Sequence, residues 1–268
     1  MSGATLIQVP YHLGRKGVVL GAGPEPLAKA IGGDSIVVER AEPLTNEISA
    51  TFDVIRQTRT AVRETLDAGR FPLVLAGNCH CAVGAVAALD SDVGIVWLDA
   101  HADFHTPDST TTGFFDGMPL ALITGEGWAE LRATIDGLRP VPEDRIVLVG
   151  ARDLEPTEEM RLAASAIARP DIGSLDAALD GLRARTDAVY LHIDLDVLDP
   201  SEGMANGWAV EGGLTADELE AAVESVRARF DVRAAAFSAY DPTVDPDGRI
   251  PAIAATVAAL LTAEKVAS

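Results

Sequence analysis

A chain of 268 residues, 48% of them hydrophobic, can bury one large core, and its length is ordinary for a single α/β domain spanning 1–268. Its formal net charge of -20 and pI near 4.5 set it against phosphate backbones and anionic lipid surfaces, so neither nucleic acid nor a membrane is an expected partner. Two cysteines, Cys79 and Cys81, stand too close together for an easy bridge, which rules out a disulfide framework.

In chain order, the opening "MSGATLIQVPYHLG" has no basic stretch leading into an apolar run, so no secretory signal is expected. No run reaches the ~18 apolar residues of a membrane span. The expectation is a cytoplasmic protein with reduced thiols. A strand is predicted over Thr5–Val9, a helix over Glu25–Ala30, a strand over Ser35–Glu39 and a long helix over Asn46–Asp67. Leu73–Ala76 reads as a strand, Gly77 as a tight turn, and Ala82–Leu89 as a helix of small residues. Cys79 therefore falls at a strand's carboxyl end. The stretch "NCHC" leaves four readings open for Cys79, His80 and Cys81: redox pair, nucleophile with base, metal ligands, or core packing.

Strand Gly94–Leu98 runs into "DAHADFH". Asp99, His101, Asp103 and His105 recur at period two, so in an extended segment all four face one way. A row of like charges on one face is costly without a cation. Strand Arg145–Val149, helix Thr157–Ala164, strand Ser165–Ala168 and helix Leu175–Arg183 follow. Strand Ala188–Ile193 then enters "LHIDLDVLDP", which puts His192, Asp194 and Asp196 on one face and Asp199 in a turn before Pro200. Thr215 with Glu218 forms a capping box opening helix Ala216–Arg229. Strand Arg233–Ser238 and a buried helix over Ala252–Lys265 close the chain.

This alternation predicts one three-layer α/β/α domain with a mostly parallel sheet of about eight strands, and ligands beyond the strands' carboxyl ends. Two acidic clusters at two strand ends point to a site for more than one cation. Oxygen ligands with imidazole favour Mn²⁺ over Zn²⁺. Bridging carboxylates can hold two ions ~3.5–4 Å apart and activate one water between them.

These residues resemble the arginase, or ureohydrolase, family. Its signature runs Gly-Gly-Asp-His-Ser, Asp-Ala-His-x-Asp, then Asp-x-Asp-x-x-Asp-Pro; "DAHAD" and "DLDVLDP" match the second and third in full. "LGAGPEPL", "GARDLEPTEE", "EGGLT" and "YDP" fall in family order, so the resemblance covers nearly the whole chain and implies the arginase-like fold. Aligned without a gap, "LAGNCHCAVG" puts Cys79, not His80, on the family's ligand histidine. The resemblance then implies two Mn²⁺ ions. One is held by Cys79, Asp99, Asp103 and Asp194, the other by His101, Asp99, Asp194 and Asp196, with Asp99 and Asp194 bridging. A non-ligating catalytic cysteine is the alternative for Cys79, and His80 and Cys81 become packing or supporting residues.

Three departures from the family surround the reacting centre. Cys79 is the first. Asp116, in "FFDGMP", stands where arginases carry a proton-shuttling histidine, and is either a substitute acid/base or a loop carboxylate. Ala239, in "SAYDP", stands where arginases and agmatinases carry a glutamate that pairs with the guanidinium. In "HTPDSTTTG", Thr110 and Thr112 match positions that contact a substrate carboxylate, with His105 in place of an asparagine. Glu155 and Glu158 match acidic positions near a substrate α-amino group. The alternative for these loop groups is a solvated face.

The combination resembles the branch of the family that hydrolyses N-omega-hydroxy-L-arginine in D-cycloserine biosynthesis. That implies a hydrolase of linear amidine C–N bonds acting on an amino acid with a guanidine-type head, in which metal-activated water attacks the guanidine carbon and Asp103 carries the proton to the departing nitrogen. The residues leave the oligomeric state open. The rivals are another ureohydrolase (arginase, agmatinase or formiminoglutamase type), a zinc amide hydrolase, and a metal-binding relative that has lost turnover.

Overall fold

The computed structural model describes residues 3–43, 45–89 and 92–263. Strand β1 (Ala4–Val9) is followed by a small hairpin, β2 (Tyr11–His12) and β3 (Arg15–Lys16), then α1 (Pro24–Ile31), β4 (Ser35–Val37) and α2 (Glu47–Asp67). Next come β5 (Phe71–Ala76), α3 (Cys81–Ala87), β6 (Gly94–Leu98), α4 (Pro119–Thr124), α5 (Ala129–Arg132) and β7 (Ile146–Val149). The rest is α6 (Pro156–Ala164), α7 (Leu175–Arg183), β8 (Ala188–Asp194), α8 (Ala216–Arg229), β9 (Asp231–Ser238) and α9 (Arg249–Thr262).

The central sheet has seven strands in the order β4-β1-β5-β9-β8-β6-β7, every pair parallel. Strands β5, β6 and β7 are buried at every position, as strands covered on both faces must be. Alternate residues feed two cores. Ile7, Val74, Ile95, Trp97 and Leu148 pack with Phe52 and Ile55 of α2, Val83 of α3 and Leu120 of α4. Leu6, Leu73, Leu75, Val96 and Leu191 pack on the other side with Leu27 of α1, Leu179 of α7, Val223 of α8 and Val257 of α9.

The helix starts follow local chemistry. The Asn46 side chain accepts from Ser49 N to open α2, and Thr215 with Glu218 forms the expected capping box at α8. Asp199 does sit in a turn, accepting from Ser201 N at 2.9 Å and Gly212 N at 2.8 Å.

Several expectations need correction. The sheet has seven strands rather than about eight, because Ser165–Ala168 is not a strand. It follows α6 directly and reaches β7 at the single bridge Val147–Ala168, and Pro170, with no N–H, ends any pairing. The predicted last helix starts earlier, at Arg249, since Pro251 is tolerated in a first turn. Its predicted last two positions, Glu264 and Lys265, lie outside the described residues. Helices α4 and α5 and the β2–β3 hairpin had no sequence prediction.

The strand order places the carboxyl ends of β5, β9, β8 and β6 side by side. A close approach fixes the exit from β5: a Cβ on Gly77 would lie 2.3 Å from Tyr11 O. The chain turns sharply there and delivers the cysteine segment to the same rim as both acidic motifs.

Candidate metal centre

The turn 78–80 links β5 to α3 and is held from across the rim by Asp116, in a short 3-10 turn over Phe115–Gly117. The buried Asp116 carboxylate accepts from Asn78 Nδ2, from Cys79 N at 3.3 Å, and from His80 N at 3.0 Å. His80 Nδ1 lies 3.1 Å away and completes the set. Burial disfavours charge on His80, but the Cys81 sulfur and Asp116 outweigh it and push its pKa to about 10. Burial likewise opposes charge on Asp116, and the His80 contact overcomes it, so this pKa is lowered. Asp116 thus lines the cavity with its oxygens already engaged.

The acids follow. Strand β6 stops at Leu98, and the Asp99–His105 run turns instead of continuing extended, with Asp103 at φ 52°. The expected period-two face is therefore replaced by a folded loop. The loop has its own anchors: Leu120 N donates to Asp103 O at 2.9 Å and His105 N to Gly117 O at 2.9 Å. Asp99 Oδ2 accepts from Trp97 Nε1 at 2.9 Å, and its Oδ1 from His101 N at 2.7 Å. Strand β8 ends at Asp194, and Asp196 follows in a 3-10 turn, its N–H donating to Asp194 Oδ1 at 2.9 Å. His101 Nδ1 lies 3.4 Å from Asp99 Oδ1 and 3.5 Å from Asp196 Oδ2. Cys79 Sγ lies 2.8 Å from Asp194 Oδ2.

Electrostatics show what the cluster lacks. Burial, then neighbouring acids, pushes Asp103 and Asp194 well above the carboxylate range. Asp99 is raised to about 6 by burial first. Burial and the Asp194 charge push the Cys79 thiol up as well. His101 goes the other way: burial opposes its charge, but Asp196 and Asp99 push it up to about 12. Asp103 Oδ2 is buried with no hydrogen-bond partner. Four buried carboxylates and a thiol with one orphaned oxygen form an environment that divalent cations stabilise. Donor atoms of Cys79, Asp99 and His192 gather within 4.8 Å of one another, as do those of Asp99, His101 and Asp196, with Asp99 shared. Both His192 nitrogens already face hydroxyls, of Tyr190 and Ser238, so the ring backs the first group rather than joining it; with Asp103 and Asp194 on the same floor, the acids, the thiol and His101 fit a pair of ions.

Above this floor a cavity of about 810 Å³ opens to solvent. His105, Thr110, Thr112, Glu155 and Glu158 all line it, as do Cys79, His101, Asp103, Asp116, Asp194 and Asp196. Asp99, 1% exposed, lies beneath His101. Glu158 Oε1 accepts from Phe104 N at 2.9 Å, and His105 Nε2 stands 3.7 Å from its other oxygen. Thr110 Oγ1 accepts from Gly113 N at 3.0 Å, and Thr112 Oγ1 from Phe114 N at 3.1 Å, so these hydroxyls also shape their own loop. The lining also has an apolar part: Leu13, Leu20, Phe114, Trp208 and Ala239. Phe114 and Trp208 stack with ring centroids 5.7 Å apart.

Sequence reasoning passed over several of these groups. Asn206 is buried and donates from Nδ2 to Asp196 Oδ2 at 3.1 Å and to Ala239 O at 2.8 Å, holding Ala239 in a left-handed conformation (φ 61°). Trp97 braces both Asp99 and His192, stacking on the latter at 3.7 Å. Asn206 and Trp208 fall in "MANGWAV", which carries no periodic or motif signal; His192 was placed on one face with Asp194 and Asp196, but its partners Trp97, Tyr190 and Ser238 were not foreseen.

Comparison with known proteins identifies the family and the fold. The sequence model of the arginase family matches residues 18–264. An arginase of Staphylococcus aureus (strain MRSA252) is 36% identical over 110 residues, which are 40% of this chain and 36% of that protein. The match thus spans little more than a third of that relative's length. Among solved structures, the arginase of Bacillus caldovelox at pH 5.6 superposes with a TM-score of 0.87 at 27% identity, covering 100% of both chains. The Entamoeba histolytica arginase in complex with L-ornithine gives a TM-score of 0.85 at 19% identity, covering 97% of this chain and 99% of that one, a likeness of fold.

Proposed function

The chain belongs to the arginase family, and from that membership we propose that it is a cytoplasmic binuclear manganese hydrolase cleaving N-omega-hydroxy-L-arginine to hydroxyurea and L-ornithine, in the service of D-cycloserine biosynthesis. Cys79, Asp99, Asp103 and Asp194 would hold one ion, and His101, Asp99, Asp194 and Asp196 the other. When bound, the pair supplies a water of lowered pKa and positive charge beside the guanidine carbon.

The chain's own groups do the rest. Asp103 lines the cavity and keeps one buried oxygen free of partners. In this reading it takes the attacking water's proton and passes it to the ornithine nitrogen as the C–N bond breaks. Glu155, Glu158 and His105 hold the α-amino end, and Thr110 and Thr112 the α-carboxylate. The Phe114–Trp208 wall covers the methylene chain. Asp116, engaged by the Cys79 turn, serves as that turn's brace rather than as a mobile acid.

The observation that carries the choice of substrate is Ala239. It lines the cavity and is 4% exposed, so a methyl group stands where a carboxylate would pair with a guanidinium. Leaving a buried cation unpaired costs about 3–5 kcal/mol. A hydroxylated guanidine is far less basic and escapes that cost. Mn²⁺-loaded enzyme given both substrates side by side is expected to release ornithine from hydroxyarginine with a kcat/KM about a hundredfold or more above that from arginine. Equal values would remove the argument from Ala239 and leave an ordinary arginase.

A further inference from the structure

Behind Cys79 runs a buried line of polar groups that the reading above does not use. Cys79 Sγ lies 3.2 Å from Ser238 Oγ, Ser238 Oγ 3.1 Å from His192 Nε2, and His192 Nδ1 3.2 Å from Tyr190 OH. Ser238 and Tyr190 are 0% exposed and His192 1%. The sheet builds this line. Tyr190, His192 and Asp194 alternate onto one face of β8, and Ser238 pairs in register with Asp194 from β9. The imidazole is clamped flat against Trp97, so it has little freedom to turn away.

The line has a direction. Among the described residues, the Tyr190 hydroxyl has one partner, His192 Nδ1. A buried hydroxyl that donates to nothing is costly, so Tyr190 donates and Nδ1 accepts. A neutral imidazole then carries its single proton on Nε2. Nε2–H donates to Ser238 Oγ, and the Ser238 hydroxyl proton is left for the cysteine sulfur. The reverse order would strand the Tyr190 proton.

We propose that Tyr190, His192 and Ser238 form a one-way donor chain that positions the Cys79 sulfur as a thiolate ligand for a divalent cation. The proposal rests on the reading of Cys79 as a metal ligand. A sulfur that receives an O–H donor on one side is fixed in place and stabilised as the anion. As the thiol, the same atom donates to Asp194 Oδ2 at 2.8 Å, a bond that a cation would replace as the proton leaves. Tyr190, His192 and Ser238 are positioning residues: they act on the cation through the sulfur, as outer partners of metal ligands do.

The test is a Co²⁺ titration of the metal-stripped full chain, followed by thiolate-to-cobalt charge-transfer absorption in the near ultraviolet. Wild type is expected to show the band and Cys79→Ala to lack it. Ser238→Ala and Tyr190→Phe each delete one hydroxyl with little change of shape. Ser238→Ala is expected to bind Co²⁺ about 10–100-fold more weakly. Its band should move to longer wavelength, because a thiolate without its donor gives up an electron more readily. Tyr190→Phe should move the band the same way by less. An unmoved band with unchanged affinity in both variants overturns the donor chain while leaving Cys79 a ligand. A wild type with no thiolate band removes Cys79 from the ligand set, and the donor chain falls with it.

Discussion

Glu158 shows how much one cavity carboxylate can tune. Burial first, and the Asp99 charge after it, raise its pKa to about 7 against the opposing Phe104 N–H bond. The sign follows. Between the ordinary carboxylate range and about 7, the unfolded chain would ionise this group and the folded one resists, so its contribution to stability declines as pH rises through that window. Binding of an α-ammonium runs the other way, because the charged carboxylate is the better partner. KM for the amino-acid substrate is expected to fall between about pH 6 and about pH 8, with Glu158→Gln flattening the profile; a slope that survives Glu158→Gln places the titrating group elsewhere. At this scale, sequence legibility depended on motif register. Cys79 could be found because its flanks, Leu75 to Gly84, carry a pattern that one shift would break. Asn206 could not, since its partners Asp196 and Ala239 stand 10 and 33 residues away and only folding brings them to it.

Among the elements, α3 is the one on which the cysteine turn depends. It lies so close to α2 that a Cβ on Gly84 would come 2.3 Å from Ile55 O. Gly84→Ala is expected to cost about 1–3 kcal/mol, at about 2–4 °C of melting temperature per kcal/mol, and to shift the 78–80 turn. A thermal melt checks the first part, and an unchanged midpoint would mean that the two helices can separate freely. Elements with a clear period were legible to the residue, as with Leu175–Arg183 and Ala216–Arg229, the second also capped by Thr215. Those without were not. The α4 sequence "PLALIT" is apolar all round and six residues long, so neither period nor length marks it as a helix. Ser165–Ala168 is a short run around Ile167 with only one bridge to give, at Ala168.

For the molecule as a whole, the three layers were legible because strand and helix alternate from end to end, and that alternation forces parallel strands. The strand count was not, because membership in a sheet is decided by neighbours and not by local composition. A chain with a formal net charge of -20 that gathers Asp99, Asp103, Asp194 and Asp196 in one buried cluster should depend on its cations for stability. Removing metal with a chelator is expected to lower the melting temperature, and Mn²⁺ at about 100 times its Kd to return about 2.7 kcal/mol; a midpoint indifferent to both would mean the cluster is stable as protonated acids. Arg152 carries a last consequence. Its guanidinium gathers the carbonyls of Gly150, Asp196 and Val210 at 2.8–3.0 Å, tying the end of β7, the turn after β8 and the loop before α8 to one point. The metal floor is fastened to the strands, and the segment bearing Asn206 and Trp208 is fastened to that floor in turn, by Arg152 through Val210 and at its middle by Asn206 through Asp196 and Ala239. Replacing Asn206 would therefore loosen an ion-holding carboxylate as well, whereas the half-exposed Trp208 can change its side chain, and with it the fit of a substrate, while the floor stays fastened.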